Sequence, residues 1–164
     1  MSYNPNWPRW VQASVADHFK TICIAKGYPA LVEGIDERTT EFYDAPNRIE
    51  IRLNGPQIKE WNKGYFGFEV DVNILIFSYM GGVNVNAYDG TVMAGQMAEA
   101  ADQKIPVYKY GVGVDDDQSL IGCLSLQTTG RDQGINVHHF GEIDKENRLR
   151  QFGVDVSLQM TLCI

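Results

Sequence analysis

The chain has 164 residues, 44% of them hydrophobic and 21% charged, enough to bury one core without metals or a disulfide lattice and far from a disordered composition. It carries 21 acidic against 14 basic residues, a formal charge of −7, which excludes a protein that grips nucleic acid by neutralising phosphates. There is no run of about 18 apolar residues, and the first residues lack the basic-then-apolar order of a secretory signal, so a single domain over 1–164, made in the cytoplasm and outside the membrane, is expected.

Val11, Val15, Phe19 and Ile22 recur at steps of four, four and three within residues 7–26, which predicts a helix with one buried stripe. Pro8 suits its first turn and Gly27 the position just beyond its end. Gln12, Asp17 and Lys20 make the opposite face polar, so the helix should lie on something with one side wet. Residues 48–53 alternate Ile49, Ile51 and Leu53 with Arg48, Glu50 and Arg52, a half-buried strand, which Asn54, Gly55 and Pro56 should break. Asn62, Lys63 and Gly64 suggest a hairpin connection.

Phe66, Phe68, Val70, Val72, Ile74 and Ile76 then occupy six successive alternate positions, and the pattern fails only at Leu75 and Phe77. At those two residues the strand's second face should also be covered, by its own fold or by a partner subunit, which makes them candidate subunit-interface residues. Residues 89–104 predict a second helix with Val92, Met93, Met97, Ala100 and Ala101 on one stripe and Asp89 as its cap. Residues 105–110 read as extended, 121–127 and 135–140 as strands, and 144–148 as a polar turn. The chain closes on a second long alternation: Phe152, Val154, Val156, Leu158, Met160 and Leu162. These elements add up to an α+β domain, a mainly antiparallel sheet with long strands and two helices packed on one face.

Chemical constellations are sparse. Cys23, Cys123 and Cys163 form no Cys-x-x-Cys pair and read as small core hydrophobes, with neither a disulfide framework nor a zinc site. His138 and His139 are adjacent on a strand and should point to opposite faces, so they cannot share one metal ion from there. His18 reads as a helix-surface residue. Asp115 to Asp117 lack the alternating ligands, glycine and terminal glutamate of a calcium loop, and Gly111-Val112-Gly113 lacks the third glycine of a phosphate turn. No nucleophile motif is present, so no catalytic, cofactor-binding or metal-binding residue is assigned. Glu69, Asp71 and Asp155 occupy the polar positions of the two long alternating segments and share one surface if those strands are neighbours. A solvated sheet face, a carboxylate pair for acid–base work and a repulsive lining are the uses open to them.

The order of signals resembles the lambda-type tail terminators of long-tailed phages. The residues that carry the resemblance are the N-terminal helix, Arg48-Ile-Glu-Ile-Arg-Leu-Asn-Gly-Pro56, Lys63-Gly-Tyr-Phe-Gly-Phe-Glu-Val-Asp-Val-Asn-Ile-Leu-Ile76, and a late acidic turn leading into the alternation at 150–162. The likeness covers the layout of the whole chain, with a segment at 105–134 that looks longer than in compact versions and reads as an elaborated loop. It implies a structural virion protein and no enzyme: a homohexameric ring that caps the head-proximal end of the tail tube, stops its growth and joins tail to head. Its implied partners are further copies of itself, the tail tube protein and the head–tail connector or neck proteins, with the sheath protein as a further candidate. DNA would only pass through the channel, past Glu69, Asp71 and Asp155. The alternatives are a head-side connector or head-completion protein and, in another class, a small cytoplasmic α+β enzyme or ligand-binding domain.

Overall fold

The structure is a computed structural model that describes residues 4–62, 65–79, 88–109, 118–127, 134–144, 146 and 148–161; the side chains of 60–62, 65, 66 and 161 lie outside that description. The predicted strand at Phe66 therefore has its backbone described and its first side chain not, and the loops at 111–113 and 115–117 fall outside altogether.

Helix α1 spans Trp7–Ala25 and ends at Lys26, after which Gly27 turns the chain at φ +78°. Its buried face is Trp10, Val11, Ser14, Val15, Ala16, Phe19 and Cys23, the stripe that the spacing of apolar residues predicts, with Ile22 at its margin. Two elements follow that no periodicity announces. Strand β1 is only Ala30–Val32, and helix α2 is only Thr40–Asp44, started by the Thr39 hydroxyl, which accepts the Phe42 amide at 3.3 Å.

Strand β2 runs Asn47–Asn62, straight through the expected break. The ladder with β3 (Tyr65–Tyr79) shifts register between Asn54 and Gln57, so Gly55 and Pro56 form a bulge and do not end the strand. Pro56 lacks an N–H, and the bulge is where a ladder needs none. Gly55 has φ +111°, and an added Cβ would sit 2.9 Å from the Gln57 amide nitrogen, so the kink requires glycine. Its carbonyl accepts the Gln12 side-chain amide at 2.6 Å, which ties the bulge to α1. Asn62 pairs with Tyr65 at the end of the antiparallel ladder, as a hairpin demands.

Helix α3 spans Asp89–Asp102. Two expectations for it need correction. Tyr88 occupies the cap position and makes no side-chain cap bond, so Asp89 lies in the first turn and does not cap. The buried stripe is Gly90, Met93, Ala94, Met97, Ala100 and Ala101, which leaves Val92 outside the core. The physical reason is the close approach at Gly90: the helix rolls until its glycine meets the Phe152 ring, where a Cβ would lie only 2.1 Å from a ring carbon.

Strands β4 (Ile105–Tyr108), β5 (Leu120–Leu126), β6 (Ile135–Asp144) and β7 (Leu149–Thr161) complete the fold. The sheet order is β1-β2-β3-β7-β5-β4, and β6 also pairs with β7. Strand β7 is thus shared: one edge pairs with β3, while the other pairs with β6 along 149–156 and with β5 along 158–161. All pairings are antiparallel except β1 with β2. The segment at 105–134, expected as an elaborated loop, contributes two strands of the sheet among its described residues.

Phe68, Val70, Val72, Ile74 and Ile76 from β3 and Phe152, Val154, Val156, Leu158 and Met160 from β7 all point to one side, where α1 and α3 cover them. Strand β4 curls back toward α1, where its Tyr108 amide donates to the buried Ser14 hydroxyl at 3.0 Å. The molecule is therefore an α+β domain with a curled, mostly antiparallel seven-stranded sheet. No helix among the described residues is long and apolar enough to cross a membrane.

Candidate functional site

The candidate site is the sheet face that the two long helices leave bare. Strands β3 and β7 are antiparallel neighbours, with Glu69 opposite Gln159, Asp71 opposite Ser157 and Asn73 opposite Asp155. These residues alternate with the buried ones, so Glu69, Asp71 and Asp155 share the outer face. Asp71 and Asp155 stand on the diagonal of the ladder, a separation of roughly 7–8 Å between such positions.

Each acid has a local partner. Glu69 forms an ion pair with Lys59 at 2.6 Å, Asp71 accepts the Ser157 hydroxyl at 2.8 Å, and Asp155 lies 2.8 Å from His138 Nε2. Asp71 and Asp155, with Asn54, Asn73 and Asn136, line a polar concavity of about 260 Å³. The carboxylates and carboxamide oxygens of this hollow form a surface that repels anions and accepts hydrogen bonds. Among the described residues no group of three or more His, Cys, Asp or Glu side chains is arranged to hold a metal ion.

Further along the same face the character changes. Leu75 lies between Glu50 and Gly153, and Phe77 between Arg48 and Gln151, all half-buried or buried. The Arg48 guanidinium stacks 4.7 Å from the Phe77 ring centroid and 5.6 Å from that of Tyr43 on α2, and donates to the Tyr43 carbonyl at 3.1 Å. Burial lowers the Arg48 pKa, an effect partly opposed by Tyr43, Glu50 and Tyr79, and its buried Nε has no hydrogen-bond partner. Part of the cover over Phe77 thus comes from the chain's own Arg48. Over Leu75 the neighbour is Gly153, above which lies the Phe140 ring, 2.8 Å from where a Cβ would stand.

The two adjacent histidines diverge as the strand geometry demands. His138 turns outward to Asp155 and stacks with Phe140, while the His139 ring lies 4.7 Å from that of Phe152 on the helix side. His18 is more than a surface residue. Its Nε2 sits 2.9 Å from the Ala100 carbonyl, so it links α1 to the C-terminal turn of α3. The cysteine expectation holds for Cys23, buried with its thiol 3.7 Å from the Met97 sulfur, and fails for Cys123, which is disulfide-bonded. Disulfides depend on Cα separation, and the β5–β7 ladder sets Cys123 opposite Thr161, a proximity that sequence spacing does not show. Cys163 lies outside the described residues.

Sequence reasoning missed Arg48, Tyr43 and Phe140 on this face. The one available signal was Gly153, a residue without a side chain in a strand that otherwise alternates cleanly.

Fold and face together define a class: an α+β domain whose long-stranded sheet is covered by helices on one side and presents an acidic and an apolar region on the other. No protein-family model and no curated protein matches the chain.

Proposed function

We propose that the chain is a structural protein of a tailed-phage particle, a ring-forming tail terminator at the head-proximal end of the tail tube. The observation that carries this reading is the convergence of Glu69, Asp71 and Asp155 on one bare sheet face built from the two longest continuous alternations of the chain. A channel that passes DNA must not hold it, and a carboxylate-bearing wall on a protein of charge −7 repels phosphates across the short distance that salt allows. A closed ring further needs two different patches that meet at a rotation that closes. Leu75 and Phe77 offer half-buried apolar surface on the same face as the acids. The resemblance in order of elements, from the N-terminal helix to the final alternating strand, points the same way.

The test is to produce phage particles without the protein. Tails of uncontrolled length support a terminator. Normal tails beside unattached heads overturn it in favour of a head-side connector. The lining role is tested separately by the triple variant E69K/D71K/D155K, which should assemble and slow genome exit; unchanged ejection kinetics in assembled particles exclude these residues from the channel wall.

A further inference from the structure

We infer that copies of this chain associate head to tail, with the β1 edge of one copy seated in a groove between α3 and β6 of the next; only closure of that contact into a ring rests on the function proposed above. The inference comes from two features at opposite edges of one set of rungs. Across five strands the ladder aligns Ala30, Ile49, Ile76, Phe152 and His139, and two residues along it aligns Val32, Ile51, Ile74, Val154 and Val137. At the usual strand spacing the two edges stand roughly 19 Å apart. The interior members of these rungs are buried under the helices, so the edge residues Val137 and His139 face the same side.

On the β6 edge this leaves a groove of about 500 Å³. It is lined by Tyr88, Thr91, Val137, His139, Arg150 and Phe152. It exists because Gly90 seats the start of α3 directly on Phe152, one strand short of β6. Tyr88 is 74% exposed, Val137 53% and the neighbouring Val92 52%, a concentration of solvent-facing apolar surface on one wall. At the β1 edge the corresponding feature protrudes. Ile24 is 69% exposed and Ile35 57%. Ile24 lies one helical turn beyond Lys20, whose ammonium holds Asp36 at 2.9 Å, so the two isoleucines flank the same corner of the molecule.

The charges match as well. The groove contains Arg150 and His139 and no carboxylate. The turn Glu33-Gly-Ile-Asp-Glu-Arg38 around Ile35 holds three carboxylates against one guanidinium. A two-fold contact of groove on groove would set arginine against arginine, whereas head-to-tail contact sets an acidic knob against a basic groove. Main-chain pairing along the whole of β6 is disfavoured, because Phe140 and Ile143 are extra residues in two register shifts within its second half. The contact is therefore one of side chains seated in a groove.

Sedimentation velocity on the purified chain tests this with two variants, the knob pair I24K/I35K and the groove variant V137D. The wild type should associate as concentration rises, and each variant alone should remain a monomer. An equimolar mixture should form dimers and nothing larger, because one intact knob meets one intact groove and the remaining ends are blocked. A wild type that stays monomeric up to millimolar concentration, a variant that associates as the wild type does, or a mixture that stays monomeric overturns the inference. All three positions are exposed, so circular dichroism melts should remain within a few degrees of the wild type; if V137D melts early, V92D on the α3 wall replaces it with the same expectations. Loss of association in the variants with normal tail length in particles lacking the protein would overturn the terminator and leave this interface standing.

Discussion

Two glycines of α3 make opposite predictions, and the difference is spatial. Gly95 is exposed, with nothing within 4 Å of the position of an added Cβ, so Gly95→Ala should stabilise the protein by about 0.5–1 kcal/mol through helix propensity. Gly90 sits against the Phe152 ring, so Gly90→Ala must push the helix or the ring aside and should cost about 1–3 kcal/mol. Urea unfolding of the two variants beside the wild type checks both signs. Cys23 supplies a third prediction at this scale. Burial raises its thiol pKa from 9.0 to about 11, so the folded state holds the proton more tightly than the unfolded one. Stability from this group is intact below pH 9 and is lost as pH rises toward 11, by about 2–3 kcal/mol in all. A Cys23→Ala variant should lack that alkaline slope, and iodoacetamide should leave Cys23 unmodified until the protein is unfolded.

At the scale of elements, the inner and outer positions of one strand should respond very differently. Ile74 is fully buried between β2 and β7, and Ile74→Ala should cost about 2–5 kcal/mol, while Asn73→Ala on the exposed face should stay within about 0.5 kcal/mol. The short β1 edge depends on a single carboxylate. Asp36 accepts the Val32 amide at 2.8 Å and the Lys20 ammonium at 2.9 Å. Burial raises its pKa, but the bonds from Lys20 and Val32 outweigh that and leave it below the usual 3.8. A depressed carboxyl stabilises above its unfolded pKa and loses that contribution as pH falls through its folded value. Asp36→Asn should therefore be less stable than the wild type at neutral pH, with the difference shrinking below pH 4 in thermal melts. Strands β2 and β7 and helix α1 were legible because their side chains obey one period over a dozen residues or more. Strand β1 and helix α2 were not, since three and five residues are too few to show a period, and their existence depends on the Asp36 and Thr39 contacts.

At the scale of the molecule, the alternation of apolar and polar residues decided which side chains of β3 and β7 enter the core, because the two-residue period of a strand leaves no other face for them. Composition and charge decided that the chain folds and that it carries excess negative charge. The mainly antiparallel α+β class follows from those patterns. Tertiary structure alone decided that β3 and β7 are neighbours, which turns three scattered acids into one surface, and that β7 divides its far edge between β5 and β6. It also decided the roll of α3, which a helical stripe read without its neighbours assigned to Val92, and the fate of Pro56, which is absorbed in a bulge. The physical reason is common to these cases: periodicity records which side of an element faces apolar surroundings, while strand partners, close approaches at glycine and cross-strand contacts such as that of Phe140 on Gly153 depend on residues distant in the chain.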